Sequence, residues 1–110
     1  MVISWVELVA SVETRLAIVE VLGFAARSVR TQPSCLGCDV YEAADESRKI
    51  LYVERWRSTE DLHAHIQSAM YLRILNAIDL AQQVPRISFY EVSTAKSMEL
   101  IEALRVGHGT

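Results

Sequence analysis

A chain of 110 residues, 51% of them hydrophobic, has the length of one domain with a core large enough to fold without disulfide or metal staples. Eleven basic residues against fourteen acidic ones leave a formal charge of -3 with the arginines scattered, which argues against nucleic acid as a partner. No uninterrupted apolar run approaches the roughly 18 to 20 residues that cross a bilayer, and no charged-then-apolar leader opens the chain, so the expected setting is cytoplasmic, with no membrane association.

The first element, VISWVELVA at residues 2–10, alternates Val2, Ser4, Val6 and Leu8 with Ile3, Trp5, Glu7 and Val9 and is expected as a strand apolar on both faces. Ser11 is the expected N-cap, with Glu13 in the first turn, of a helix reaching about Arg30 and burying Leu16, Val19, Leu22, Ala26 and Val29. Pro33 ends it, because the residue before a proline resists the helical region. Residues 36–42 and 49–56 read as two strands joined by the polar AADESRK loop, hence as an antiparallel hairpin.

Ser58, with Asp61 three residues on, is a helix-start signal, and Ser68 a second, before AMYLRILNAIDLAQQ with Tyr71, Ile74, Leu75 and Ile78 on one stripe. Residues 86–92 form the expected fourth strand, and MELIEALR at 98–105 a short amphipathic helix with Met98, Ile101 and Leu104 along one side. The order strand, helix, strand, strand, helices, strand predicts an α+β ferredoxin-like fold, a four-stranded antiparallel sheet with helices on one face. The domain is expected over residues 1–93, with 94–110 an extension that docks on the domain or on a partner subunit. The face without helices still carries apolar side chains, and a second copy of the chain closing sheet against sheet would cover it, a homodimer with the form of a dimeric α+β barrel.

Cys35 and Cys38, the only cysteines, stand in a C-x-x-C spacing but follow a helix and precede a strand, the reverse of the thioredoxin order. In an extended strand they point to opposite faces, too far apart to bridge without a bulge, so they read as two unpaired thiols. A zinc site lacks its remaining soft ligands, since His63 and His65 are only two residues apart. No metal site and no glycine-rich phosphate loop is expected, and no cofactor is called for.

The stretches PSCLGCDVYE, ILYVERW, STEDLHAHIQSAMY and VPRISFYEV, in this order, resemble the antibiotic biosynthesis monooxygenase family over residues 2–92. The carrying motif is Pro33 with Cys35-Leu36, then Glu54-x-Trp56, then Leu62 and His65. The resemblance implies a dimeric α+β barrel and cofactor-independent oxidation by O2 of an aromatic small molecule, quinol-like or polycyclic. Two departures stand out: Ser34 replaces a frequent glycine, and Met70-Tyr71 stand where the family often has a second histidine. A haem-degrading branch of the same fold uses an asparagine, a tryptophan and an iron-binding histidine at places that here hold Trp5, His65 and Leu75, which argues against haem.

Tyr52, Glu54 and Trp56 share one strand face, and His65 lies on the buried stripe of the helix capped by Ser58, so a pocket of two rings, a carboxylate and an imidazole is expected. In it His65 serves as base, Glu54 orients it, and Trp56, Tyr52, Trp5, Met70 and Tyr71 contact the substrate. The competing expectation is a non-catalytic dimer that binds a hydrophobic small molecule or a protein; the two part on whether an open cavity meets His65 and Trp56. His108 reads as a surface residue.

Overall fold

The structure is a computed structural model describing residues 1–106. His108 lies outside the described residues. The elements follow in the order β1 (Val2–Val9), α1 (Arg15–Val29), β2 (Cys35–Glu42), β3 (Lys49–Trp56), α2 (Thr59–Ile66), α3 (Ala69–Asp79), β4 (Arg86–Glu91) and α4 (Met98–Arg105). The four strands form one antiparallel sheet in the order β2-β3-β1-β4. This is the expected ferredoxin-like arrangement. No helix is long and apolar enough to cross a membrane among the described residues.

The alternation of β1 decides which face is covered. Val2, Ser4, Val6 and Leu8 are buried beneath the helices, whereas Ile3, Trp5, Glu7 and Val9 are only half-buried. Register carries the same division into β3, where Ile50, Tyr52, Glu54 and Trp56 are buried and Leu51 and Val53 share the other face with Trp5. The face without helices is therefore apolar at its centre, with Tyr41 and Tyr90 half-exposed on it.

Four helix expectations need correction. Helix α1 starts at Arg15, not beside Ser11, because Ser11 and Thr14 bond each other, Thr14 N donating to Ser11 Oγ at 3.1 Å, and close a separate turn. Glu13 then precedes the helix. The buried stripe of α1 is Ile18, Leu22, Ala25, Ala26 and Val29, with Leu16 60% exposed, since α1 packs on both β2 and α3. In α3 the stripe is Tyr71, Ile74, Ala77 and Ile78; Leu75 faces outward. That helix stops at Asp79 rather than running to Gln83, because Gln82 N donates to Val9 O at 2.8 Å and ties the chain back to the sheet ahead of Pro85.

Helix α2 begins as expected: Ser58 Oγ accepts from Asp61 N at 3.2 Å and bonds the Asp61 carboxylate at 2.8 Å. Helix α4 forms over the expected residues, but none of them is buried and it packs substantially against no other element.

Candidate functional site

Period-two geometry on β3 and one turn of α2 bring together the residues that could carry chemistry. Tyr52, Glu54 and Trp56 point in succession toward the helices, and the Ser58 cap sets the phase of α2 so that Leu62 and His65 face them. Glu54 sits at the centre. Its Oε2 accepts from the Tyr52 hydroxyl at 2.7 Å, its Oε1 accepts from the Trp56 indole N–H at 3.0 Å, and His65 Nε2 lies 2.7 Å from Oε2. The side chains of Glu54 and His65 are wholly sealed from solvent.

Three donors aimed at one carboxylate fit an acceptor-only group, which assigns the proton to Nε2 of His65. His65 Nδ1 has no partner and is buried. On a neutral ring this nitrogen holds a bare lone pair; an N–H there would be a buried donor with nothing to accept it, the costlier state. The chain thus presents a carboxylate-oriented imidazole whose far nitrogen is free to take a proton. The ring is fixed on two further sides, by Trp56 with centroids 4.7 Å apart and by Tyr71 edge-on at 5.2 Å.

Most of the expected site residues meet here, but not all. Tyr71 joins the cluster, and Met70 packs against the core from the start of α3. Trp5 does not join it. The β1–β3 register places Trp5 opposite Val53 on the other side of the sheet, so its expected contact with this cluster is corrected: β1 offers Ser4, not Trp5, to this side. Ser4, fully buried and opposite Glu54 in register, was missed by sequence reasoning, although it is the lone polar residue on the inner alternation of β1. The expected pocket is corrected too. The four side chains form a packed cluster, and the neighbouring groove stops short of them.

That groove, about 310 Å³, runs between β4 and α2 with Val2, Leu62, Ile66 and Phe89 as apolar walls and Glu91 at its rim. His63 lies at its edge. Val2 stands opposite Trp56 in the β1–β3 register, and Leu62 and Ile66 flank His65 on α2, so one layer of side chains separates groove from cluster. A larger groove of about 420 Å³, between α1 and α3, has Phe24 under the Arg73 guanidinium at 4.9 Å and holds none of these residues. Orphaned buried chemistry, rather than groove size, selects the Glu54–His65 cluster as the candidate site.

The two cysteines are free thiols. A bulge between Cys35 and Gly37 places both on the helix side, opposite Trp56 and Glu54, rather than on opposite faces. Burial pushes the Cys38 thiol up from 9.0 to about 12 and raises Cys35 as well, the opposite of an activated redox pair. Burial and the Glu54 charge raise Tyr52 in the same direction.

A pH dependence follows, with its sign. In the unfolded chain the Cys38 thiol ionises near its ordinary 9.0, whereas in the fold it stays protonated to about 12. The unfolded state therefore binds fewer protons between those limits. The stabilisation is full below pH 9 and is lost as pH rises toward 12. Urea midpoints should fall across that window for the natural chain, and fall less steeply for Cys38→Ala. Equal slopes would contradict the assignment.

A ferredoxin-like α+β sheet with one helix-covered face, a buried Glu–His–Trp–Tyr cluster and one bare face defines the class of domain to which this protein belongs. The model of the antibiotic biosynthesis monooxygenase family matches residues 1–77, and the chain belongs to that family. Among solved structures, a proposed antibiotic biosynthesis monooxygenase from Deinococcus radiodurans is 26% identical, with TM-score 0.79 over 88% of this chain and 97% of that one. Rv0793 from Mycobacterium tuberculosis is 22% identical, with TM-score 0.77 over 87% and 98%. A protein from Nitrosomonas europaea, also a proposed antibiotic biosynthesis monooxygenase, is 18% identical at TM-score 0.76 over 86% and 100%. The latter two likenesses speak to the fold alone. No curated protein matches the chain significantly.

Proposed function

We propose that this chain is a cofactor-independent monooxygenase that oxidises a quinol-like or polycyclic aromatic molecule with O2, working as a homodimer. The observation that carries the reading is the unpartnered, buried Nδ1 of His65 behind a Glu54 hydrogen bond. Such a nitrogen is the natural acceptor for a phenolic proton, because an apolar surround strengthens the bond and Glu54 steadies the imidazolium that results. Family membership supports the reaction class.

The steps balance without an external reductant. The substrate hydroxyl gives its proton to His65 Nδ1. One electron passes from the phenolate to O2, and the aryloxyl radical, through its spin density on a ring carbon, joins superoxide there as a peroxide anion. The imidazolium returns the proton, and loss of water, carrying away the hydrogen of that ring carbon, leaves a carbonyl. A phenol and O2 thus become a quinone and water, and a quinol and O2 become a hydroxyquinone and water, with one oxygen atom of O2 kept in the product. In this reading the approach runs through the groove between β4 and α2, with Leu62 as the side chain that must yield, while Trp56 and Tyr71 hold the imidazole.

The homodimer rests on the bare sheet face. Ile3, Trp5, Leu51 and Val53 make an apolar centre, and a second sheet is the simplest complementary surface. One observation favours the other reading, a non-catalytic binding module: the cluster is filled and closed. Oxygen uptake with a panel of quinols and anthrone-like phenols, in the presence of a chelator, separates the two. Turnover with one labelled oxygen atom from 18O2 in the product, abolished by His65→Ala, is expected. Uptake no faster than that variant on every substrate sinks the enzyme and leaves the binding module.

A further inference from the structure

Helix α4 carries Met98, Leu100, Ile101 and Leu104, all between 44% and 66% exposed, and buries none of them on its own chain. It stands clear of the body: the radius of gyration is 16.5 Å, against about 13 Å for a compact chain of this length. The same molecule has an apolar deficit of matching kind. Ile87 and Phe89 lie on the helix side of β4, yet are 42% and 49% exposed, because α1 to α3 leave that edge of the sheet uncovered. Phe89 is a wall of the groove that approaches His65.

We infer that α4 of one copy lies across the β4–α2 groove of a second copy and roofs the passage to His65, so that each site is completed by its partner. Three features select this occupant. The apolar stripe of α4 recurs at intervals of three and four and spans two turns, about the length of a groove bounded by an eight-residue helix and a six-residue strand. The charges answer one another: the groove carries Glu91 and His63 at its margins, and α4 carries Arg105 and Glu102 on its flank. Residues 93–97, between the Val92 N–Met1 O bond that ends the sheet and the start of α4, reach about 17 Å when extended, enough to cross to a neighbouring subunit. Exchange between two copies satisfies both arms and both grooves at once, the closed outcome that symmetry favours.

The inference deepens the reading of His65 as a base approached through this groove, but its test reads the arm alone. Phe89→Cys is placed in the full chain and in a chain ending at Ser93, and each is treated with a maleimide at neutral pH. The natural thiols react slowly there, both being held protonated by burial. Labelling about tenfold slower in the full chain is expected, the protection given by about 1.4 kcal/mol of docking. Ile101→Glu in the full chain should unmask the groove as truncation does, which covers the case in which the shortened chain folds poorly. Mixing Phe89→Cys with Leu104→Cys under mild oxidation should then give a covalent pair of chains. Equal labelling in all forms overturns the proposal. So does a chain with both cysteines that closes the disulfide within itself at high dilution. Oxygen uptake is measured separately, so loss of the chemistry and loss of the roof are distinguishable.

Discussion

Glu54→Ala is expected to lower stability by about 3 kcal/mol or more, the cost of leaving three buried donors without their shared acceptor. The carboxylate is the acceptor for a phenol, an indole and an imidazole, each buried within 2% of full. Deleting it strands three donors where water does not reach, and each stranded donor costs about 1–3 kcal/mol. Tyr52→Phe makes the contrast. It removes one donor while Glu54 keeps two, so about 0.5–1.5 kcal/mol is expected. Urea titration at neutral pH on both variants checks the asymmetry. A Glu54→Ala midpoint within the error of Tyr52→Phe would mean that the cluster is hydrated, and the assignment of His65 Nδ1 as a dry, unpartnered acceptor would fall with it.

Val53→Asp is expected to convert the proposed dimer into folded monomers. Val53 lies at the middle of the bare face, beside Trp5 on β1 and Asp39 on β2. In a two-fold interface the substitution places two further carboxylates, each beside Asp39, at the apolar centre of the bare face, and about 4 kcal/mol or more of lost association is the expected scale. That corresponds to roughly a thousandfold weaker dimer. The monomer tolerates the change, since Val53 is only half-buried in a single chain. Sedimentation across a concentration series, with circular dichroism to verify folding, reads the result. An unchanged mass would move the interface elsewhere; a natural chain that sediments as one subunit would remove the dimer.

The elements were legible because their signals are local. Alternation in 49–56 defined β3 to the residue, and the Ser58–Asp61 pair located the start of α2. The same alternation put Tyr52, Glu54 and Trp56 on one face, and helical spacing put His65 on the buried side of α2. Ser11 misled because a side-chain bond to Thr14 spends the cap on a turn, a choice between two local bonds that composition does not decide. Leu75 misled because it belongs to the apolar pattern of α3 but not to the surface that α1 covers.

By itself, then, the sequence determined the order of elements, the composition of each strand face, and the shared face of Tyr52, Glu54 and Trp56, all of which depend on spacing along one segment. Tertiary structure alone decided three things. Register between β1 and β3 sent Trp5 to the bare face and brought Ser4 opposite Glu54, because pairing between distant strands fixes which alternation faces inward. The bulge after Cys35 returned both thiols to one side, which one extra residue in a strand achieves and a C-x-x-C spacing cannot announce. Close packing of Trp56 and Tyr71 on His65 filled the expected pocket, since whether rings line a space or occupy it depends on the distances between elements and not on the residues each element carries.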